Sequence, residues 1–357
     1  MDFAFHGTVP PQLEAFAVGL RDALVRHGYR ESDPATAKLV CNFVDGADPK
    51  PYRRESKSTF VASFWPATDD PEDPNEVLRR GYPVLVRALS NMSVSVVPGI
   101  CVRFLTPERG NYAVPWGDGG SALFEGVVDR LAPLAESDLV IDNIFTTDLE
   151  PELWGGDEAT ESIAAAGRRL DEWGLLPAPF PIEDFLSKRD RDHIMRLYSI
   201  GGLSYGNLSA RKDATRFWMS ASGVDKTALE EPGRDILLVT GYDEENARMR
   251  ISVPPGVEPR RVSVDAIEHW MIYQAHPEVG AILHVHAWME NIAATDINYP
   301  CGTQELAESV AELIEREPDP AHAVIGLRNH GITATGDSLT EILDRIQSGI
   351  LRQVPMT

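Results

Sequence analysis

Apolar positions along the chain recur in two rhythms, one of three to four residues and one of short unbroken runs. Leu13, Phe16, Leu20 and Leu24 mark one helix face, so residues 11–30 are expected to form a helix entered through Pro10-Pro11 and ended by Gly28. Runs at 37–44 and 58–65 read as strands, and the polar, turn-rich segment 45–57 between them predicts a hairpin or an edge pairing. A helix is expected over 75–89, strands over 94–97 and 100–105, and a helix over 121–134. A last strand is expected at Val140-Ile141 and a further helix over 158–173. Leu175 to Ile182 then carries three prolines in eight residues, the composition of an extended linker.

That linker predicts two domains. Residues 1–178 read as a separate mixed α/β domain in which no chemical constellation stands out, and 179–357 as a second domain. In the second, a helix is expected over 182–199 and another from an N-cap at Ser263 to about Ala275, with a closing helix over 338–351. Between them lie turn-rich stretches, Gly201 to Arg211 and Phe217 to Lys226, and two short apolar runs that contain histidine.

Composition narrows the class. The 357 residues are 43% hydrophobic and 25% charged, ordinary for a globular chain, with a formal net charge of −22. So acidic a balance argues against a nucleic-acid partner, which needs a basic footprint. Three scattered cysteines, Cys41, Cys101 and Cys301, form no disulfide framework and point to a reducing compartment. No apolar stretch approaches the length of a membrane span and the N-terminus lacks a leader pattern, so a cytoplasmic protein is expected, with no membrane partner.

Candidate chemistry concentrates in the second half. His284 and His286, two residues apart on a strand, point to one face, and His330 sits in the other apolar run. Three neutral imidazoles with an open position are how a catalytic zinc site is built. Asp265, His269 and Tyr273 recur at four residues on one helix face. Glu268 lies about 300° round that helix from Asp265 and reads as a solvated side chain, with the acid/base role of Asp265 as its alternative. Lys226 reads as a surface lysine, and Lys50, Arg53, Arg54 and Lys57 as a solvated basic loop, with an anion contact the alternative for each.

The order Gly206-Asn-Leu-Ser-Ala-Arg211, Ser220-Ala-Ser-Gly223, Ser263-Val-Asp-(three)-His269-(three)-Tyr273, His284-Val-His286 and Asn329-His-Gly331 resembles the class II aldolase/adducin superfamily over roughly residues 185–350. The resemblance implies an α/β (α+β) fold in which an antiparallel sheet lies between helical layers, assembled as a homo-oligomer, often a tetramer. It places His284, His286 and His330 on the zinc ligands, or ligands of another divalent metal. It places Asn207, Ser222, Gly223 and Ser263 on the substrate phosphate, and Asp265 on the catalytic acid/base. The implied activity is a zinc-dependent aldolase-type lyase that cleaves or forms a carbon–carbon bond in a small sugar phosphate or hydroxy-carbonyl compound through a metal-stabilised enediolate. An epimerase, decarboxylase or dehydratase on the same site, or a noncatalytic adducin-like head, are the alternatives. Two departures stand out. Val264 replaces a usual serine, and the loop after the histidine strand is short, with Asp296 or Tyr299 as the residues that would substitute for its missing side chain.

Overall fold

Leu39–Phe43 is buried at every position, and so are the first five residues of Phe60–Pro66. Strands without polar alternation belong inside a sheet covered on both faces, and such sheets are typically parallel. The computed structural model pairs them so, with Leu39 opposite Phe60 in parallel register. It describes residues 1–56, 58–176, 178, 182–197 and 205–357. The expected hairpin is therefore a parallel neighbour pair, and the sixteen residues from 44 to 59 are long enough to cross over.

These strands belong to the first of two compact units, Met1–Ser137 with Pro181–Ile194 and Met356–Thr357. Its elements are β1 (Asp2–His6), α1 (Glu14–Arg26), β2 (Arg30–Glu31), β3 (Leu39–Phe43), β4 (Phe60–Pro66), α2 (Pro74–Arg87), β5 (Met92–Val97), β6 (Cys101–Leu105), β7 (Asn111–Pro115) and α3 (Ser121–Glu136). The sheet order is β2-β1-β3-β4-β5-β6-β7. Its first five strands run parallel and the last two are added antiparallel. In the basic loop, Lys50 pairs with Asp48 at 2.6 Å and the Arg54 guanidinium donates to the Leu89 carbonyl at 2.7 Å; Lys57 lies outside the described residues.

The second unit, Asp138–Phe180 with Met195–Pro355, begins 41 residues before the expected start at 179. The reason is pairing. β8 (Asp142–Thr146) joins the second sheet in parallel with a strand more than a hundred residues later, and α4 (Glu158–Glu172) packs on that sheet too. The Val140-Ile141 strand expected from the pattern is β8, two residues further on. The remaining elements are α5 (Lys188–Leu197), where the chain passes between units, then β9 (Asn207–Arg211), β10 (Phe217–Ser220), β11 (Ile236–Asp243), β12 (Arg248–Ser252), α6 (Ala266–Ala275) and β13 (Ala281–Val285). They close with β14 (Ala293–Ala294), α7 (Gln304–Arg316), β15 (Val324–Leu327), β16 (Gly331–Gly336) and α8 (Leu339–Ile346), which stops short of the expected residue 351. Ser199 and the segment Gly201–Ser204 of the glycine-rich motif lie outside the described residues.

The second sheet runs β14-β15-β16-β13-β9-β10-β11-β12-β8, antiparallel except at its two edges. Alternation along β9 assigns its faces. Leu208 meets α4 at Gly167, whereas Asn207 and Ser209 face α6. α7 packs beside α6, and α8 pairs with α4 through Arg169 and Asp344 at 2.6 Å. Helices thus cover both faces, and the core of this unit fills the layers between them with residues such as Trp218, Leu237 and Ile282. Among the described residues no helix is long and apolar enough to cross a membrane.

Candidate metal centre

His284 and His286 leave the end of β13 toward α6, and His330 reaches the same place from the turn between β15 and β16. That turn explains the Asn-His-Gly sequence. Leu327 pairs with Gly331, which leaves three residues to reverse the chain, and Asn329 takes a left-handed φ of 58°, a conformation Asn tolerates better than most. A Cβ on Gly331 would lie 2.3 Å from the Val285 carbonyl oxygen, so only glycine lets the turn press against the histidine strand. Gly206 does the same from the other side, with φ +74° and a hypothetical Cβ 2.5 Å from the His284 oxygen. Gly206→Ala is expected to destabilise the protein by about 2 kcal/mol or more and to displace His284. A urea unfolding curve indistinguishable from wild type would contradict this.

All three imidazoles are buried, and their side-chain nitrogens lie within 4.8 Å of one another. His330 Nε2 is 3.2 Å from His284 Nε2 and 3.1 Å from His286 Nε2. His284 Nδ1–H donates to the Ile332 carbonyl at 3.0 Å, which leaves its Nε2 as a lone pair aimed at the cluster. Burial holds His284 below its usual pKa, against the pull of Asp265, and holds His330 well below it. Converging neutral nitrogens suit a cation. With metal–nitrogen bonds of about 2.0–2.1 Å, the edges of a tetrahedron are about 3.3 Å, close to the separations here. From the following loop, the Cys301 sulfur lies 3.4 Å from His330 Nε2. Sequence reasoning missed this cysteine, because its signal was only its place shortly after the histidine strand. Asp296 is exposed, and Tyr299 packs half-buried against the core.

Asn207 pairs with His284 across β9 and β13, so their side chains share a face. The Asn207 amide donates to Asp265 Oδ2 at 2.8 Å, while Asp265 Oδ1 and Asn207 Oδ1 are buried with no hydrogen-bond partner among the described residues. Asp265, not Ser263, is the N-cap of α6 and makes no side-chain cap bond; Ser263 instead accepts a turn bond from Ala266 through its carbonyl. Ser263 is buried beside Ser220, to whose carbonyl its N–H donates. Ser222 and Gly223 form the half-buried turn after β10, with the Ser222 N–H on the Arg261 carbonyl. These residues gather where β9 and β10 meet the start of α6.

Farther along α6, Ser209 Oγ lies 2.7 Å from His269 Nδ1 and 2.9 Å from the Tyr273 hydroxyl. The Arg211 guanidinium donates to the carbonyls of Tyr273, His276 and Val279 at 2.7–3.1 Å and stacks over the Tyr273 ring. A cation on the last carbonyls is a favourable helix end, so Arg211 anchors the helix and does not face a ligand.

Two expectations fail. Lys226 is buried, not a surface side chain. A Cβ on Gly167 of α4 would lie 1.9 Å from its carbonyl oxygen, so the helix packs directly on the Lys226 backbone. Burial lowers its ammonium to about 8, opposed by the nearby charge of Asp265. Glu268 is buried as well, because it turns to the sheet, where the Thr333 hydroxyl of β16 donates to its Oε1 at 2.6 Å. Burial, then the charge of Asp265, pushes its carboxyl up to about 8 against the Thr333 hydrogen bond. A carboxyl raised in the folded state stabilises fully below its unfolded pKa of about 4.3 and loses that contribution as pH climbs through 8. Glu268→Gln is therefore expected to match wild type near pH 4 and to be the more stable of the two at pH 8 in the metal-free protein. Denaturant melts at the two pH values check the sign.

Residues 193–296 match the family model described as "Class II Aldolase and Adducin N-terminal domain", and this segment is similar to the class II aldolase/adducin superfamily. A methylthioribulose-1-phosphate dehydratase from Gluconacetobacter diazotrophicus is 29% identical over 134 residues, 38% of this chain and 46% of that protein. An L-fuculose phosphate aldolase from Methanococcus maripaludis is 31% identical over 108 residues, 24% of this chain and 54% of that protein. A solved L-fuculose 1-phosphate aldolase superposes with a TM-score of 0.36 at 18% identity, covering 54% of this chain and 83% of that one. The chain spans about half the length of the curated relatives it matches.

Proposed function

We propose that the second unit is a divalent-metal-dependent lyase acting on a small phosphorylated hydroxy-carbonyl compound. The observation that carries this reading is the convergence of three buried imidazole nitrogens beside the Asp265–Asn207 pair. His284, His286 and His330 would hold the metal, with zinc the ion best suited to three nitrogen donors. Bound there, a divalent metal supplies Lewis-acid polarisation of adjacent carbonyl and hydroxyl oxygens.

The chain's own residues do the rest. Asp265 takes or returns the proton, its carboxylate oriented by the Asn207 N–H, and its Oδ1, without a hydrogen-bond partner among the described residues, is the oxygen left to face substrate. Ser222, Gly223, Ser263 and the second N–H of Asn207 hold the phosphate through hydroxyls and N–H groups at the start of α6. The buried Lys226 ammonium adds local positive charge to an otherwise acidic protein.

Carbon–carbon cleavage is the first reading of the reaction. A second, loss of water from the same type of substrate, is favoured by the dehydratase among the relatives. Both need one proton moved beside a polarised carbonyl. The full-length protein, stripped with chelator and then reloaded with Zn²⁺, is expected to recover activity toward a panel of ketose and aldose phosphates. Mass spectrometry separates the readings, since cleavage yields two carbonyl fragments and dehydration one product lighter by a water. Failure to take up any divalent metal, with no turnover on the panel, favours a noncatalytic binding head instead.

A further inference from the structure

Glu268 lies one turn along α6 from Asp265, 2% exposed, and among the described residues no cation pairs with it. Its Oε1 accepts from the Thr333 hydroxyl at 2.6 Å, and its Oε2 has no hydrogen-bond partner among the described residues. A carboxyl buried without a cation is costly, and a leucine would fill the same helix position without that cost. The direction of its one hydrogen bond suggests why a carboxyl stands there. Thr333 sits opposite His284 across β16 and β13, with its Oγ1 3.4 Å from His284 Nδ1. The contacts run from carboxyl to hydroxyl to imidazole, and end at the Nε2 that faces His330.

We propose that Glu268 is a positioning residue acting through Thr333: it holds the His284 ring with Nε2 directed at the three-histidine centre and so raises that centre's affinity for a divalent metal. The inference rests on reading His284, His286 and His330 as metal ligands. A hydroxyl that donates to a carboxyl accepts more strongly from an imidazole N–H, and an imidazole so held is the better metal donor. The Ile332 carbonyl already selects the tautomer of His284. The Thr333–Glu268 pair adds a second acceptor on the same side of the ring, which resists rotation of Nε2 away from its partners.

The test uses the full-length protein, with Zn²⁺ affinity read by competition against a chromophoric chelator and Co²⁺ loading read by visible absorbance. Glu268→Leu and Thr333→Val are each expected to weaken Zn²⁺ binding about ten- to hundred-fold. Glu268→Gln, which keeps the acceptor, is expected to fall between them and wild type. Because the two residues act in series, the double variant should bind no more weakly than the worse single one. The melting temperature of the metal-free protein should not fall in Glu268→Leu, which separates lost positioning from lost fold. Should that variant fail to fold, Glu268→Gln and Thr333→Val make the same comparison. Affinities within about two-fold of wild type in folded variants, or losses that multiply in the double variant, overturn the proposal. A wild-type protein that takes up neither ion overturns the metal reading itself.

Discussion

Alanine at position 284 is expected to leave a folded protein that holds no divalent metal and turns over no substrate. His284 is the histidine with most of its bonds accounted for. Its Nδ1 is committed to β16, its Nε2 faces His330, and its cross-strand neighbour is Asn207. A structural zinc site is worth about 10–16 kcal/mol over its ligands, so losing one of three protein donors should weaken binding by a hundred-fold or more. The cavity left in β13 costs about 2–4 kcal/mol, which a unit with this much buried core can absorb. Elemental analysis of the purified variant and a turnover assay check both halves together. Turnover that persists in metal-free protein would sink the metal-dependent reading.

Asparagine at position 265 is expected to lower kcat by about 10²–10⁴-fold while metal content and KM change little. The swap preserves shape and removes the ability to cycle a proton. It also sets two amides against each other at the Asn207 contact, where an N–H now donates to a carboxylate at 2.8 Å. Some loss of local order is therefore expected, and circular dichroism together with Zn²⁺ content distinguishes it from lost chemistry. Near-normal kcat would reassign the proton-transfer role to another group. The two variants separate cleanly, since His284→Ala loses the metal and Asp265→Asn retains it.

The shared faces of the candidate site were legible in the sequence because strand and helix periodicities are short-range rules. His-x-His shares a face by the two-residue pleat, and Asp265, His269 and Tyr273 share one by the four-residue helix repeat. Asn-His-Gly was legible as a motif, though its reason became clear only when Gly331 was seen against the Val285 carbonyl. The failures share a cause. Lys226 and Glu268 were assigned to solvent from their charge and helical phase, yet α4 packs on the Lys226 backbone and Glu268 meets Thr333 of β16, elements remote in sequence. The β3–β4 pairing failed likewise. A polar connection of that length fits a hairpin or a crossover equally, and only burial on both faces decides. Cys301 had no local signal, because a loop side chain carries no period.

The contacts between β9 and α6 form a vernier. Asn207, Ser209 and Arg211 meet Asp265, His269 and Tyr273 in the same order along both elements. Two strand residues advance about 6.8 Å and four helix residues about 6 Å, so the two scales nearly coincide and drift apart by less than an ångström per step. The long, forked side chain of Arg211 stands at the far end, where the accumulated offset is greatest. A one-residue insertion between two of these pairs in either element would throw those on its two sides out of step with each other. Asp265 is thus located by a ruler three graduations long, and sequence change in one scale is tolerated only where the other scale follows.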